Sequence, residues 1–497
     1  MTSVGRHAVV YGIGNVLSKA VSFVMLPVYT RYLTPADYGV MALIEMTLDV
    51  ISILAGAQIA LGIFRYYHKA KTESERSAVV STALIALGVS YGVVGVVAFA
   101  AAGPLTHLIF RGHVDSSILR VAALSFAVQS LTLVPLAYAR VHDRSSIVVS
   151  ANVAKLLMCV ALNIVFVVAL RMGVVGVFLS SLCASVVVGV VLSGWLVRRV
   201  GLGWSGAAVR DLVRYGVPLL GMKVATFLAT FADRYFLQAA GNETMVGLYN
   251  LAYQFGFLML FIGFTPFNLV WEPKRFLIAQ GPNPSPPLST GFRLMNLVLL
   301  SVGVGIILFV GDALHVMATP PFYSAANIVP IIVAAYILQG WSSTQDIGIL
   351  VKERTGVLMA VNWGSAIVAL AGDAVLVPRY FGLGAAIAAF TAFAIRWVLT
   401  YTVSQRMWHV RYQWAPVLRL TAVSAAVSAA SLILPAQRLL ASMGIHVALY
   451  GVYLLAVWRG GILTPAERTA VVAYARRGLA AVAGRLRAPG WATSRRV

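Results

Sequence analysis

Polar residues in this 497-residue chain cluster between long apolar runs. About 20 consecutive apolar residues let one α-helix cross roughly 30 Å of hydrocarbon. On that criterion the pattern predicts fourteen spanning helices, near 8–30, 39–64, 77–101, 118–139, 147–169, 173–197, 211–239, 245–271, 290–311, 326–350, 356–377, 383–404, 415–434 and 439–458. Gly and Pro inside these runs are weak stop signals, because neighbouring helices can satisfy the backbone groups they release.

Composition agrees with the pattern. The chain is 60% hydrophobic and 11% charged, with a mean hydropathy of +0.86, against roughly 25% charged for a soluble domain. Its net charge of +22 comes mainly from short connections and the C-terminal tail. One set of connections carries Arg65, Lys69, Lys71 and Arg76, then Arg140 and Arg144, then Arg198, Arg199 and Arg210. The same set continues with Lys274, Arg275, Lys352, Arg354, Arg406 and Arg411. The opposite set holds little more than Arg31, Arg111, Arg171, Arg379 and Arg438. Basic connections remain on the cytoplasmic side of a membrane, so both termini are expected inside. The charge therefore calls for no nucleic-acid partner.

The chain also repeats itself. Tyr11-Gly12 is followed by Lys19 and Arg31-Tyr32, and about two hundred residues later Tyr215-Gly216 is followed by Lys223 and Arg234-Tyr235. The expected organisation is all-α, with two pseudo-symmetric six-helix lobes and two extra helices. The first lobe is 1–197, a linker is 198–210, the second lobe is 211–404, and accessory helices occupy 405–458. A flexible loop is expected at 272–289. In the basic tail, 459–497, Thr464-Pro465-Ala466-Glu467 has the form of a capping box that opens an amphipathic, membrane-surface helix.

Leu26-Pro27-Val28-Tyr29-Thr30-Arg31-Tyr32-Leu33-Thr34-Pro35-Ala36-Asp37-Tyr38-Gly39-Val40 resembles the opening of bacterial polysaccharide flippases. These are the O-antigen and exopolysaccharide-type members of the multidrug/oligosaccharidyl-lipid/polysaccharide exporter superfamily. Arg65-Tyr66-Tyr67 and the Trp271-Glu272-Pro273 break are also similar to that family. The resemblance implies paired six-helix bundles around a central cavity, with two accessory helices forming a lipid-facing groove. It implies a bacterial inner-membrane flippase that moves undecaprenyl-pyrophosphate-linked oligosaccharides to the outer leaflet, as a monomer in contact with membrane lipids and the polysaccharide polymerase machinery. A drug or organic-cation exporter and a lipid II flippase are the related alternatives.

Charge inside a span is costly and reads as functional. Lys19 and Lys223 are the first candidates to receive a pyrophosphate-sugar headgroup, with Arg65 at the end of the second span and Arg396 in the twelfth. Lys155 reads instead as a snorkelling side chain. Asp346, with Trp341 and Gln345, suggests a sugar contact or gate. Glu45 and Asp49 lie four apart on one helix face; they fit coupling to Na⁺ or H⁺, or pairing with Lys19. Arg31, Asp233 and Arg234 are read as bracing a turn, gate or interface.

Enzyme chemistry finds little footing. No paired-histidine metal spacing, phosphate-cradling glycine loop or nucleophile with an adjacent base is present, and no cofactor is expected. Cys159 and Cys183 fall inside predicted helices and read as unbridged packing residues.

Overall fold

A computed structural model describes residues 25–56, 58–433, 439–465 and 467–469. They form helices joined by short turns, in two compact units, Met1–Arg411 and Tyr412–Val497. The first unit opens with α1 (25–32), α2 (Pro35–Gly56) and α3 (Ile59–Lys69). It continues with α4 (Glu73–Ala100), α5 (Ala102–Phe110), α6 (Ser116–Val141), α7 (Ser145–Asn163) and α8 (Gly173–Val200). Next come α9 (Gly206–Phe231), α10 (Asp233–Ala239), α11 (Glu243–Met259), α12 (Thr265–Ala279) and α13 (Ser285–Met317). The unit closes with α14 (Val329–Gln345), α15 (Ile347–Val351) and α16 (Thr355–Met407), and the second unit holds α17 (Trp414–Ile433) and α18 (Leu439–Arg459).

Among the described residues, ten helices are long and apolar enough to cross a bilayer, or twelve if each of two bent pairs is one span. Two features separate this count from the expected fourteen. Most of the first expected span lies outside the described residues. In addition, the 53-residue stretch Thr355–Met407 is counted once, although at 1.5 Å per residue it would run about 80 Å, too long for one crossing. It folds back at Phe381, whose φ of 47° is left-handed. Its limbs then pack together: Ser365 Oγ donates to the Ala392 carbonyl at 3.0 Å. A Cβ on Gly372 would lie 2.9 Å from that of Ala388. The break falls between the expected spans 356–377 and 383–404.

Aromatic side chains knit the first lobe. Tyr91 stacks on Phe126 at 4.6 Å and hydrogen-bonds Ser52 at 2.7 Å. In the second lobe Trp341 meets Trp397 edge-on at 5.0 Å, and the Trp397 indole donates to Gln345 at 2.8 Å. The lobes meet along two seams. On one, α2 crosses α11 backbone to backbone: a Cβ on Gly39 would fall 2.2 Å from the Glu243 carbonyl, and one on Gly247 1.9 Å from that of Pro35. On the other, α3 lies against α9, where Gly62 admits Leu212.

The loop expected at 272–289 is largely helical. Glu272-Pro273-Lys274-Arg275 lies inside α12, α13 starts at Ser285, and only 280–284 connects them. A π-helical turn at Leu260–Phe264 precedes α12. Its wider winding accommodates Pro266, which has no N–H to continue the α ladder. In the tail, the Thr464 N–H donates to Glu467 at 2.8 Å and the Glu467 N–H to Thr464 Oγ1 at 3.3 Å, as a capping box requires. The amphipathic helix expected after it lies outside the described residues.

Candidate functional site

The turn from α1 into α2 is held by reciprocal bonds. The Thr34 N–H donates to Asp37 Oδ2 at 2.9 Å, and the Asp37 N–H donates to Thr34 Oγ1 at 3.1 Å. Thr30 ties the same end to α13, donating to the Met317 carbonyl while its own carbonyl accepts from Thr319. Arg31 is exposed beside this turn.

Below the turn, α1, α2, α7 and α11 line a partly open chamber of about 130 Å³, on whose wall Glu45 is exposed. The chamber is lined by Tyr29, Tyr38, Glu45, Asn163, Gln254, Cys159 and apolar side chains. Asn163 Nδ2 donates to the Tyr29 hydroxyl at 3.1 Å, and Gln254 Nε2 donates to that of Tyr38. Each amide nitrogen is thus engaged through one of its two N–H groups, while Asn163 Oδ1 and Gln254 Oε1 are buried without a hydrogen-bond partner. Because Gln254 belongs to the second lobe, both lobes build this chamber. Glu45 is the one charged side chain among the described residues on its wall. Asp49 is exposed one turn further along α2, near where Thr47 meets the Tyr235 hydroxyl at 2.8 Å.

None of the expected cations among the described residues lines this chamber. Lys19 lies outside the described residues. Lys223 is exposed on α9 and makes no ion pair with a described residue. Arg65 is exposed on α3 and sits 5.1 Å over the Tyr215 ring of α9, while Tyr66 meets the same ring edge-on. Arg65 is therefore part of the second seam between the lobes.

Asp346 sits where α14 breaks into α15 and is bound by Arg275, whose Nη1 reaches Asp346 Oδ1 at 2.7 Å and the Ser343 carbonyl at 3.0 Å. Arg275 Nη2 reaches Glu272 at 2.9 Å, so one buried guanidinium joins two carboxylates. Arg396, half-buried on α16, acts electrostatically on the same Asp346. Arg275, expected in a basic connection, is buried instead by its helical setting.

Arg234 is fully enclosed. Its Nη1 donates to Asp233 Oδ1 and the Thr230 carbonyl, both at 2.7 Å, and the Tyr249 hydroxyl donates to Asp233 Oδ2 at 2.6 Å. The guanidinium lies 3.9 Å from the Tyr253 ring centre, with Phe231 and Tyr249 slightly farther. The repeat matches Arg31 to Arg234, yet one is exposed and the other has no exposed surface.

Asn163, Gln254, Tyr29 and Tyr38 were not anticipated as lining residues. Uncharged amides at 163 and 254, inside apolar runs, were the available signal.

Residues 4–274, more than half of the chain, match the family described as "Polysaccharide biosynthesis protein". Comparison with curated proteins gave no match. Among solved structures, the chain is similar to a lipid II flippase, MurJ, in an inward closed conformation, with a TM-score of 0.74 and 10% identity. The match covers 92% of this chain and all of that one. It is also similar to an inward-facing multidrug resistance MATE family transporter of the MOP superfamily, with a TM-score of 0.65 and 14% identity over 78% of this chain and 95% of that one. A MOP superfamily transporter from Pyrococcus furiosus gives a TM-score of 0.54 at 15% identity, covering 82% and 95%. At these identities the structural likeness speaks for the fold.

Proposed function

Since the chain belongs to the polysaccharide biosynthesis protein family, a multi-pass membrane family of transporter fold and not an enzyme family, we propose that it flips undecaprenyl-pyrophosphate-linked oligosaccharide repeat units. Movement runs from the cytoplasmic to the periplasmic leaflet of the inner membrane. The chain crosses that membrane fourteen times with both termini inside and acts as a monomer, handing its cargo to polymerase machinery.

The observation that carries this reading is the family match joined to a two-seam interface. Alternating access requires two lobes that can part on one side while staying joined on the other. Gly39 against Gly247 forms one joint, and Gly62 with Leu212 and Arg65 over Tyr215 form the other. Opening the second joint frees Arg65 from an aromatic face and makes its guanidinium available to a pyrophosphate, a ligand that arginine binds through charge-assisted hydrogen bonds. Lys223 and Lys19 then receive the headgroup further in, and Arg396 and Asp346 contact the sugars. Glu45 and Asp49 supply the ion coupling.

A second reading, an organic-cation exporter, is favoured by one observation: the chamber carries Glu45 and no basic side chain among its described lining residues. Transport in proteoliposomes separates the two. The expected result is translocation of a defined lipid-linked glycan, lost when Lys223→Ala and Arg65→Ala are combined in protein that still folds. Transport of lipophilic cations without any glycolipid movement overturns the proposal.

A further inference from the structure

Away from both lobe seams, α7 and α8 leave an open groove of about 450 Å³ between them, within the size range of small-molecule sites. Its hollow follows from the sequence. Ser150, Ala151 and Ala154 share one face of α7, and their short side chains leave room that leucine would fill. The floor is Ala151 with Val188 and Leu192 of α8, a buried cluster backed by Leu136 of α6. Ser150 spends its hydroxyl on the Ile147 carbonyl at 3.2 Å, so the trough presents hydrocarbon.

The groove has a defined length and two unlike ends. Its limits along α7, Ile147 and Met158, lie about 16 Å apart at 1.5 Å per residue. One leaflet of hydrocarbon is about 15 Å deep, half of the full core. The end at Met158 is apolar. The other end carries Trp195, and the Arg199 guanidinium lies 5.4 Å over its ring. Arg140 and Arg144, around the α6–α7 connection, and Arg198, in the last turn of α8, belong to the same end. Arg140, Arg198 and Arg199 are exposed, and none of these four arginines forms an ion pair with a described residue. Against them, 138–147 and 195–201 hold a single acid, Asp143. In the orientation proposed above, this end faces the cytoplasm.

A trough one leaflet long with a cationic mouth fits an amphiphile that has an acyl chain and an anionic head. We propose that the groove binds an anionic glycerophospholipid of the inner leaflet. One acyl chain lies between α7 and α8, and Arg198 and Arg199, with Arg144, hold the phosphate. Arginine binds phosphate through charge-assisted hydrogen bonds, and basic sites beside spanning helices recognise anionic headgroups. Trp195 takes the interfacial level that tryptophan favours. A polyprenyl carrier fits poorly, because its tail far exceeds one leaflet in length and would overrun Met158. The lipid site does not depend on which cargo the protein moves.

The test is native mass spectrometry of the full-length protein in non-ionic detergent, titrated with phosphatidylglycerol and phosphatidylcholine of identical acyl chains. Saturable retention of phosphatidylglycerol is expected, about ten-fold tighter or more than that of the zwitterionic lipid. Arg198→Gln combined with Arg199→Gln should weaken phosphatidylglycerol roughly ten- to thirty-fold, at about 1 kcal/mol for each arginine, and leave phosphatidylcholine unchanged. Ala154→Phe should remove the tight binding by filling the groove; Ala154 is exposed, so the added ring does not enter the core. Leu157→Phe, 62% exposed on α7 and outside the groove, should bind as wild type does. Equal retention of the two lipids by wild-type protein, or unchanged phosphatidylglycerol binding in Ala154→Phe, overturns the site. Displacement of phosphatidylglycerol by an equimolar polyprenyl phosphate overturns the choice of occupant.

Discussion

Replacing Arg234 with methionine removes the cation at the heart of the second lobe while keeping much of the side-chain volume. The guanidinium is fully buried, 2.7 Å from Asp233, and stacked 3.9 Å from Tyr253. Asp233 would keep only the Tyr249 hydroxyl, and Asp373, also buried and within electrostatic reach of Arg234, would lose the attraction of that charge. Breaking a buried ion pair by deleting one partner costs about 3–5 kcal/mol. The desolvated cation–π contacts are worth about 2 kcal/mol more, although the terms overlap. We expect Arg234→Met to lower the melting temperature by roughly 5–10 °C, measured by thermal challenge and size-exclusion chromatography in detergent. Asp233→Asn combined with Arg234→Met should be less damaging than the sum of the single changes, because no charge is left stranded between those two residues. A single variant within about 1 kcal/mol of wild type, the range of an exposed pair, would refute this account.

Two further outcomes follow from the geometry. Gly247→Leu must place a Cβ where the Pro35 carbonyl stands, 1.9 Å away. It should cost about 1–3 kcal/mol or more as overpacking, whereas Gly194→Ala, with nothing within 4 Å, should be neutral or slightly stabilising; paired melting curves decide. Asp115 caps α6 by accepting from the Ser117 N–H at 2.9 Å, and this bond holds its carboxyl below the usual range. A depressed carboxylate stabilises above its ordinary pKa and ceases to do so as pH falls through the lowered one. Asp115→Ala should therefore melt earlier than wild type at pH 7, and the gap should close in strong acid.

Much of the helical plan was legible because lipid demands uninterrupted apolar length. The expected spans 118–139 and 173–197 lie within Ser116–Val141 and Gly173–Val200, and Pro135 inside α6 did not mislead. Pro273 did, since local rules take Glu-Pro-Lys-Arg for a loop, while a bilayer protein carries the helix past it. Site geometry was harder to read. Arg275 finds Asp346 seventy-one residues away, and Arg234 finds its rings on α11; no local pattern announces such pairings. Duplication led to Lys19 and Lys223 but was an unreliable guide to surroundings, as the unequal fates of Arg31 and Arg234 show. Uncharged amides carried less signal than charges, and they line the chamber.

The π-helical turn at Leu260–Phe264 sets the angular relation between two remote faces of one rod. A winding of 3.6 residues per turn advances each side chain by about 100°, and a π-bulge adds one residue. Gln254 before it looks toward α1, α2 and α7, and Arg275 after it looks toward Asp346. Deleting one residue inside the bulge would return the segment to α winding and keep both faces, whereas deleting one from the regular helix on either side would turn everything downstream by about 100° and swing Arg275 off its carboxylate. Length changes among related chains should therefore be tolerated at the bulge and in the 280–284 connection, and poorly in the regular helix between Gln254 and Arg275.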